Sequence, residues 1–384
     1  MKLFVGLVVI LVTGPLFAFP EMIRHGYTNC VACHVSPSGG GVLNSYGKNL
    51  SAELLSTWSY KGEEGLLHGA VNTSAVDKWL ALGGDYRGVD LQEKNTKADT
   101  GIESTNSLWI NMQIGLEIGI IQPLWSLVSY FGQYNTSDVD RLNQIEPYMN
   151  RFYLLIKPTD EFFFKVGRFQ PNFGINIAEH FYSTRANIGV GVLSFRTQSP
   201  SIEDKNTAEL FWITENNNAS IALYKIVDNL VDTHDKGGTI NVSHVFNDRF
   251  KLGVQYLRET NDIQSKNIYG LTSALAWSDK WVTLAEADRV LIKPNSADSF
   301  AATTGVAMFQ RTSYELFRGF NLAFVNDYYQ GDLTDGSTLE YKYGPGFMWY
   351  PRPHFDFELF YNKEQNSQFT KAGDYAYLMT HYYF

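Results

Sequence analysis

From Leu108 to Ile120 the chain alternates: Leu108, Ile110, Met112, Ile114, Leu116, Ile118 and Ile120 are apolar, while Asn111, Gln113, Gly115, Glu117 and Gly119 hold the other parity. A period of two is that of a strand with one apolar face and one polar face, and no helix produces it. The pattern recurs in Leu252, Val254 and Tyr256 against Lys251, Gly253 and Gln255, and in Phe355, Phe357, Leu359 and Tyr361 against Asp356 and Glu358. From about Trp79 onward such stretches follow one another across polar turns, with no long helical periodicity between them. Mean hydropathy is −0.20, and no later stretch reaches the apolar length of a membrane-spanning helix. Aromatic residues make up 15% of the chain. Since half of each barrel strand can be polar and aromatic girdles mark its two rims, the expectation is an all-β fold, a transmembrane antiparallel β-barrel. A soluble β-sandwich is the alternative that shares the pattern. Dividing the roughly 305 residues after the N-terminal region by about 19 per strand and turn gives about 16 strands, with 14 to 18 as the range. Residues Gly174 to Gly191 read either as a strand or as a loop folded into the lumen.

The chain's only two cysteines are Cys30 and Cys33, and His34 follows at once. This is the CxxCH spacing of covalent c-type haem attachment: two thiols reach two vinyl groups on one porphyrin edge, and the adjacent imidazole turns onto the iron as proximal ligand. Half a zinc site or a thioredoxin-like dithiol would use the same cysteines. No second cysteine pair exists, however, and a redox dithiol has no use for His34. The expected cofactor is one covalent haem c. For the sixth position the candidates are His25 and Met22 just upstream and His68 downstream, with water or an open site as alternatives.

Residues 1–18 read as a cleaved signal peptide: Lys2, an apolar stretch from Leu3 to Val12, then Thr13, Gly14 and Pro15 before Ala18. Export suits the motif, because c-type attachment is made outside the bacterial cytoplasm. Residues 19–73 form the monohaem segment and linker, and 74–384 the barrel. Ser36 to Gly41 and Leu43 to Gly47 carry turn chemistry, and a short helix is expected around Ala52 to Ser56 with Ser51 as cap. So small a segment falls short of an independent core and is expected to pack against something else. The formal charge of −9 argues against a nucleic-acid partner and suits cations.

The run Phe19, Pro20, Arg24, Gly26, Cys30 to His34, Leu43, Asn44, Tyr46 and Gly47 resembles the fused outer-membrane monohaem cytochrome c–porin family, which includes outer-membrane iron oxidases. Members often carry Phe, Ala, Arg ahead of the motif; here Met22, Ile23 and Arg24 stand there. The ending Tyr382, Tyr383, Phe384 resembles the assembly signal of bacterial outer-membrane proteins. Lys157 to Asp160 followed by Lys165 to Gln170 is similar to a strand, turn, strand unit of anion-selective and phosphate-type porins. The resemblance implies a Gram-negative outer membrane, lipid contact around a porin-like barrel, a periplasmic electron carrier such as a soluble cytochrome, and an extracellular donor or acceptor, with Fe(II) the first donor to consider.

Lumen-facing polar residues are expected at Asp85, Arg87, Asn111, Gln113, Glu117, Asp356 and Glu358, with Met112 on the lipid face beside Ile110 and Ile114. Arg151, Lys165, Arg168, Arg185 and Arg196 form a basic-rich stretch that either meets anions or haem propionates or is a solvated wall. No Ser/His/Asp constellation, phosphate loop or metal-spaced carboxylate cluster supports hydrolysis or group transfer. The leading expectation is therefore electron transfer through a haem held in or at the barrel, with Fe(II) oxidation as its enzymatic form. The alternative is an anion-preferring diffusion porin whose haem is structural or sensory.

Overall fold

Alternating strands satisfy their backbone polar groups only beside other strands, and a sheet in lipid must close to leave no edge. The computed structural model does so. It describes residues 20–71, 73, 76–96, 101, 103–134, 148–175, 182–186, 205–225, 236–295, 301–367 and 372–384; the signal peptide read over 1–18, Phe19 and Arg196 lie outside these. The strands are β1 (Leu80–Thr96), β2 (Glu103–Ile121), β3 (Trp125–Tyr134), β4 (Tyr148–Ile156), β5 (Phe162–Phe169), β6 (Lys205–Ile213), β7 (Asn217–Lys225) and β8 (Lys236–Phe246). There follow β9 (Phe250–Thr260), β10 (Gln264–Ala276), β11 (Trp281–Pro294), β12 (Thr303–Phe317), β13 (Phe320–Gln330), β14 (Leu339–Arg352), β15 (Phe355–Asn366) and β16 (Gly373–Tyr383). Each pairs antiparallel with its sequence neighbours, and β1 pairs with β16 to close a barrel of 16 strands. Past β16, Phe384 exchanges backbone hydrogen bonds with Gly84 at 3.0 and 3.1 Å.

At one end of the wall the connections are all short, among them Thr214–Asn216, Arg318–Gly319 and Pro353–His354. The other end carries the long ones, including residues 135–147 and 170–204. The outer surface is a band of exposed Leu, Val and Ile, such as Leu116, Ile221, Leu223 and Val254. Trp125, Phe162, Trp212, Trp281 and Phe317 ring it near the short turns, and Trp109, Tyr269, Tyr343 and Tyr361 toward the other end. An apolar belt between two aromatic girdles is a lipid-facing wall.

The inner face is polar. Asp85, Arg87, Glu117, Asp356 and Glu358 point inward as the alternation requires. Asn111 does not, and Ile110 is not on the lipid face. The β1–β2 register slips between Arg87 and Gly88, so Arg87 pairs with Gln113 and Gly88 with Asn111, leaving Met112 without a partner. This bulge exchanges the two faces of β2 beyond it. Ile110 turns inward to meet Val89, while Trp109 lies outside and donates to Asn111 at 3.2 Å. The side chains of Met112, Gln113 and Arg185 lie outside the described residues. The basic stretch also divides: Lys165 and Arg151 face inward, whereas Arg168 pairs with the exposed Phe152 on the outside.

The described parts of the connection between β5 and β6, residues 170–175 and 182–186, are folded into the lumen. Asn172 N donates to Glu209 at 3.0 Å, Ile175 N to Glu286 at 2.9 Å, and Ser183 N and Oγ each to Asp327 at 2.8 Å. Tyr182 and Tyr377 share a hydroxyl contact of 3.1 Å. In the turn between β4 and β5, Thr159 Oγ1 accepts from Phe162 N at 3.1 Å.

Candidate functional site

The residues before β1 close the short-turn mouth. Glu21 pairs with Arg311 of β12, and Arg24 donates to Asn321 at 2.8 Å and pairs with Glu315 at 3.7 Å. Ile23 joins an apolar cluster with Val282, Leu284, Phe309 and Phe360 on one side of the wall, a cluster that also takes in Ile175 and Tyr182 of the inserted loop. Val42 packs on the opposite side, with Val128, Tyr153, Leu155 and Phe211. Asn29 Nδ2 donates to Thr214 O at 2.9 Å, and Lys251 Nζ to Thr28 O at 2.9 Å. The segment thus packs against the barrel, as its small size requires.

Cys30 opens a short 3₁₀ turn, and its carbonyl accepts from Cys33 N at 3.2 Å and His34 N at 3.0 Å. His34 then bridges antiparallel to Leu43, and Val35 N reaches Val42 O at 3.1 Å, so residues 35–42 form a small hairpin. Gly39, Gly40 and Gly41 all take positive φ, and a Cβ on Gly39 would stand 3.2 Å from Cys30 Sγ. Glycines here let the backbone turn left-handed and pass close to the thiol. A Cβ on Gly41 would collide with the Glu117 carboxylate, which takes a backbone hydrogen bond from Val42.

The helix after the hairpin is α1 (Ser45–Leu50), followed by a wider turn over Ser51–Leu55. It starts earlier than the expected Ala52, and its cap is Asn44, not Ser51. Asn44 Oδ1 accepts from Gly47 N at 2.9 Å while Nδ2 donates to Ala32 O at 2.7 Å, so one side chain starts the helix and ties it to the motif. Gly47 lets α1 lie on Cys33, where a Cβ would stand 2.5 Å from the Cys33 carbonyl.

Both thiols are free of disulfide, with Cys33 buried and Cys30 partly exposed. Burial holds the His34 imidazole down to about 4 against partial opposition from backbone hydrogen bonds at Gly41 and Gly40, so the ring is neutral at ordinary pH. Its Nδ1 is buried with no hydrogen-bond partner. Two unbridged thiols on one turn, followed at once by a neutral histidine, are the residue types that a c-type haem needs.

The candidates for the sixth position lie in different surroundings. Met22 shares a buried cluster with Tyr27, Cys33, Leu50 and Leu55. His25 Nε2 accepts from Arg24 Nε at 3.1 Å, and burial, then the Arg24 charge, hold its imidazole below the usual range. His68 is stacked on Tyr382 at 5.6 Å and sits edge-on to His354.

The wall supplies residues that the motif alone does not reveal. Lys251 lies within electrostatic reach of Cys30. Lys165 Nζ donates to Ser36 Oγ at 2.9 Å and stands 4.3 Å from the Tyr153 ring and 4.1 Å from the Phe169 ring. Two lysines therefore face the segment from the lumen, in addition to the Arg311 that pairs with Glu21. Among the described residues no group of three or more His, Cys, Asp or Glu side chains is set to hold a metal ion.

No protein-family model matches the sequence, and no curated protein does. Solved structures do match in fold. An anion-selective porin from Comamonas acidovorans superimposes with a TM-score of 0.60 at 10% identity, over 79% of this chain and 99% of that one. The outer membrane channel DcaP of Acinetobacter baumannii gives 0.56 at 12% identity, over 79% and 97%. Salmonella typhi OmpF, in complex with daunomycin, gives 0.54 at 13% identity over the same shares. This chain has the barrel of the outer-membrane porins, a porin-like closed sheet of 16 antiparallel strands.

Proposed function

We propose that the protein sits in a Gram-negative outer membrane and carries single electrons across it by way of one haem c, bound through Cys30 and Cys33 with His34 as proximal ligand. The observation that carries this reading is where the motif lies. Its segment spans the short-turn mouth, fastened to opposite walls through Ile23 and Val42, and in barrels of this kind the short turns face the periplasm. A carrier at that mouth meets a soluble periplasmic cytochrome on one side and the lumen on the other. When bound, the haem supplies a reversible one-electron couple whose potential follows its axial ligands, burial and nearby charge.

The chain's own residues do the rest. The two cysteines tether the group, His34 offers a neutral imidazole, Lys251 and Lys165 direct positive charge at the segment, and Glu117, Asn29 and Arg311 fix its depth in the mouth. By resemblance the first extracellular donor to test is Fe(II), and the acidic excess of the chain favours cations. The test is haem staining of the denatured polypeptide, followed by spectra of the membrane-extracted protein as Fe²⁺ is added. Stained protein whose Soret and α bands shift to the reduced form supports the relay. Stained protein that stays oxidised over minutes removes Fe(II) as donor, and an unstained chain with free thiols removes the relay itself. Replacing His25 and Met22 in turn identifies the sixth ligand by which change abolishes the low-spin spectrum.

The barrel's likeness to channels supports a second reading, a diffusion porin. Single-channel recording separates the two. Large ion-selective currents from haem-loaded protein support the pore, and a silent lumen with fast haem redox exchange supports the relay.

A further inference from the structure

The segment does not stay inside the mouth. After the turn at Ser51–Leu55 the chain climbs over the rim at Gly319, between β12 and β13, where φ is +82° and a Cβ would stand 2.6 Å from Leu55 O and 2.7 Å from Thr57 N. Only glycine leaves room for a second backbone to cross there. Beyond the crossing the chain is tied to the end of β14: Thr57 N donates to Tyr350 O at 2.8 Å and Trp58 N to Pro351 O at 3.0 Å. Thr57 Oγ1 donates to Arg318 O at 3.0 Å and accepts from Trp349 Nε1 at 3.2 Å, and an Arg318 guanidinium nitrogen donates to Thr57 O at 3.2 Å.

Trp349 identifies the side on which this strap emerges. It pairs across the sheet with Phe320 and Phe357, on the parity opposite the inward Met348. Phe317, Phe320 and Phe347 stack in sequence beside it, so the row belongs to the outer aromatic girdle. Trp58 meets Trp349 edge-on at 5.9 Å and is 55% exposed. Tyr60 is 66% exposed, with the Arg352 guanidinium 4.7 Å from its ring and Arg352 paired with Glu63.

We propose that Thr57–Tyr60 is a lipid strap: Trp58 and Tyr60 extend the girdle beyond the barrel wall and sit at the glycerol level of the phospholipid leaflet next to the short turns, anchoring the mouth-closing segment to the membrane. Indole and phenol rings with one apolar body and one polar tip favour that zone, and a guanidinium beside them suits the headgroup layer. The patch continues a lipid-facing surface directly. Two rings are too little for a protein partner, whose interface covers about 1,200–2,000 Å². The strap is independent of whether the cysteines carry haem.

The test uses the full chain in phospholipid nanodiscs with 5-fluorotryptophan in place of tryptophan, read by fluorine NMR. The Trp58 line is the one missing in Trp58→Phe. A lipid nitroxide near the glycerol level is expected to broaden that line about threefold or more over a soluble gadolinium chelate, as it does for girdle tryptophans. A line broadened by the chelate and not by the lipid label overturns the strap. So does a line that neither reagent touches, since protein then covers the ring. As a second measure, Trp58→Ala with Tyr60→Ala is expected to expose the segment before β1 to protease in nanodiscs and to leave its cleavage unchanged in detergent; equal cleavage in both also overturns the strap.

Discussion

In the wall, each strand is hydrogen-bonded to two neighbours around a closed ring. In residues 20–71, regular structure amounts to a six-residue 3₁₀ helix at Pro20–His25, the six-residue α1 and a few short turns. The segment's own apolar cluster has five buried members, Met22, Tyr27, Cys33, Leu50 and Leu55. At about 1.5–3 kcal/mol per buried side chain, that falls far below the roughly 1–2 kcal/mol per residue needed to order some fifty residues. The segment takes its order from the wall, through Glu21, Arg24, Ile23, Asn29 and Val42. A barrel can thus hold a motif that could not fold alone.

The sharpest way to break the comparison is to replace Cys30 and Cys33 together with serine. Haem staining of the denatured chain is expected to vanish, while the heat-dependent gel mobility that marks a closed barrel stays unchanged; loss of the barrel would show that the wall depends on the segment. Next in size is Arg311→Met, which leaves the Glu21 carboxylate buried without its partner. Breaking a buried pair costs about 3–5 kcal/mol, so protease cutting within residues 20–60 should rise by on the order of a hundredfold or more, with cutting in the wall unchanged. Adding Glu21→Leu should recover most of the protection, since replacing both charges removes the buried penalty.

Gly319→Ala acts on the crossing. A left-handed backbone with a Cβ costs about 1–3 kcal/mol, and the close contacts add to it. Faster hydrogen exchange at the Thr57 and Trp58 amides alone would fit, and spread through β12 and β13 would not.

The smallest perturbation, and a reversible one, is pH at His354 in the turn between β14 and β15. Burial is the main cause holding its imidazole down to about 4, against the hydrogen bond that its Nε2 donates to the Glu64 carbonyl, and its Nδ1 has no partner. With the folded value below the unfolded 6.5, the unfolded turn binds the extra proton. Stability is therefore complete above about 6.5 and is lost progressively as pH falls toward 4. Hydrogen exchange at Glu64 to His68 should quicken across that window, and His354→Gln should flatten the dependence.

The wall was legible wherever one parity was plainly polar, as in β9 and β15. It misled in β2 because a bulge adds a residue without a sequence mark, and apolar side chains on both parities, Ile110 and Trp109, hide the switch. The start of α1 was missed because Leu43 to Gly47 is turn-rich; Asn44 three residues before Gly47 is the capping signal that could have found it. In the site, Cys30, Cys33 and His34 stood out by spacing alone. Of the wall residues that hold the segment, Glu117 and Lys165 were readable as lumen-facing and basic but not as its contacts, and Lys251 and Arg311 were not singled out, because hundreds of residues separate some of them from the motif and only ring closure unites them.

Ile23 of the segment and Ile175 and Tyr182 of the inserted loop belong to one apolar cluster with Val282, Leu284, Phe309 and Phe360 of the wall. Two insertions that arrive from opposite ends of the barrel therefore lean on the same stretch of hydrocarbon. Hollowing out a shared wall residue such as Phe309 removes support from both at once, at about 3–5 kcal/mol for a buried phenylalanine cut to alanine.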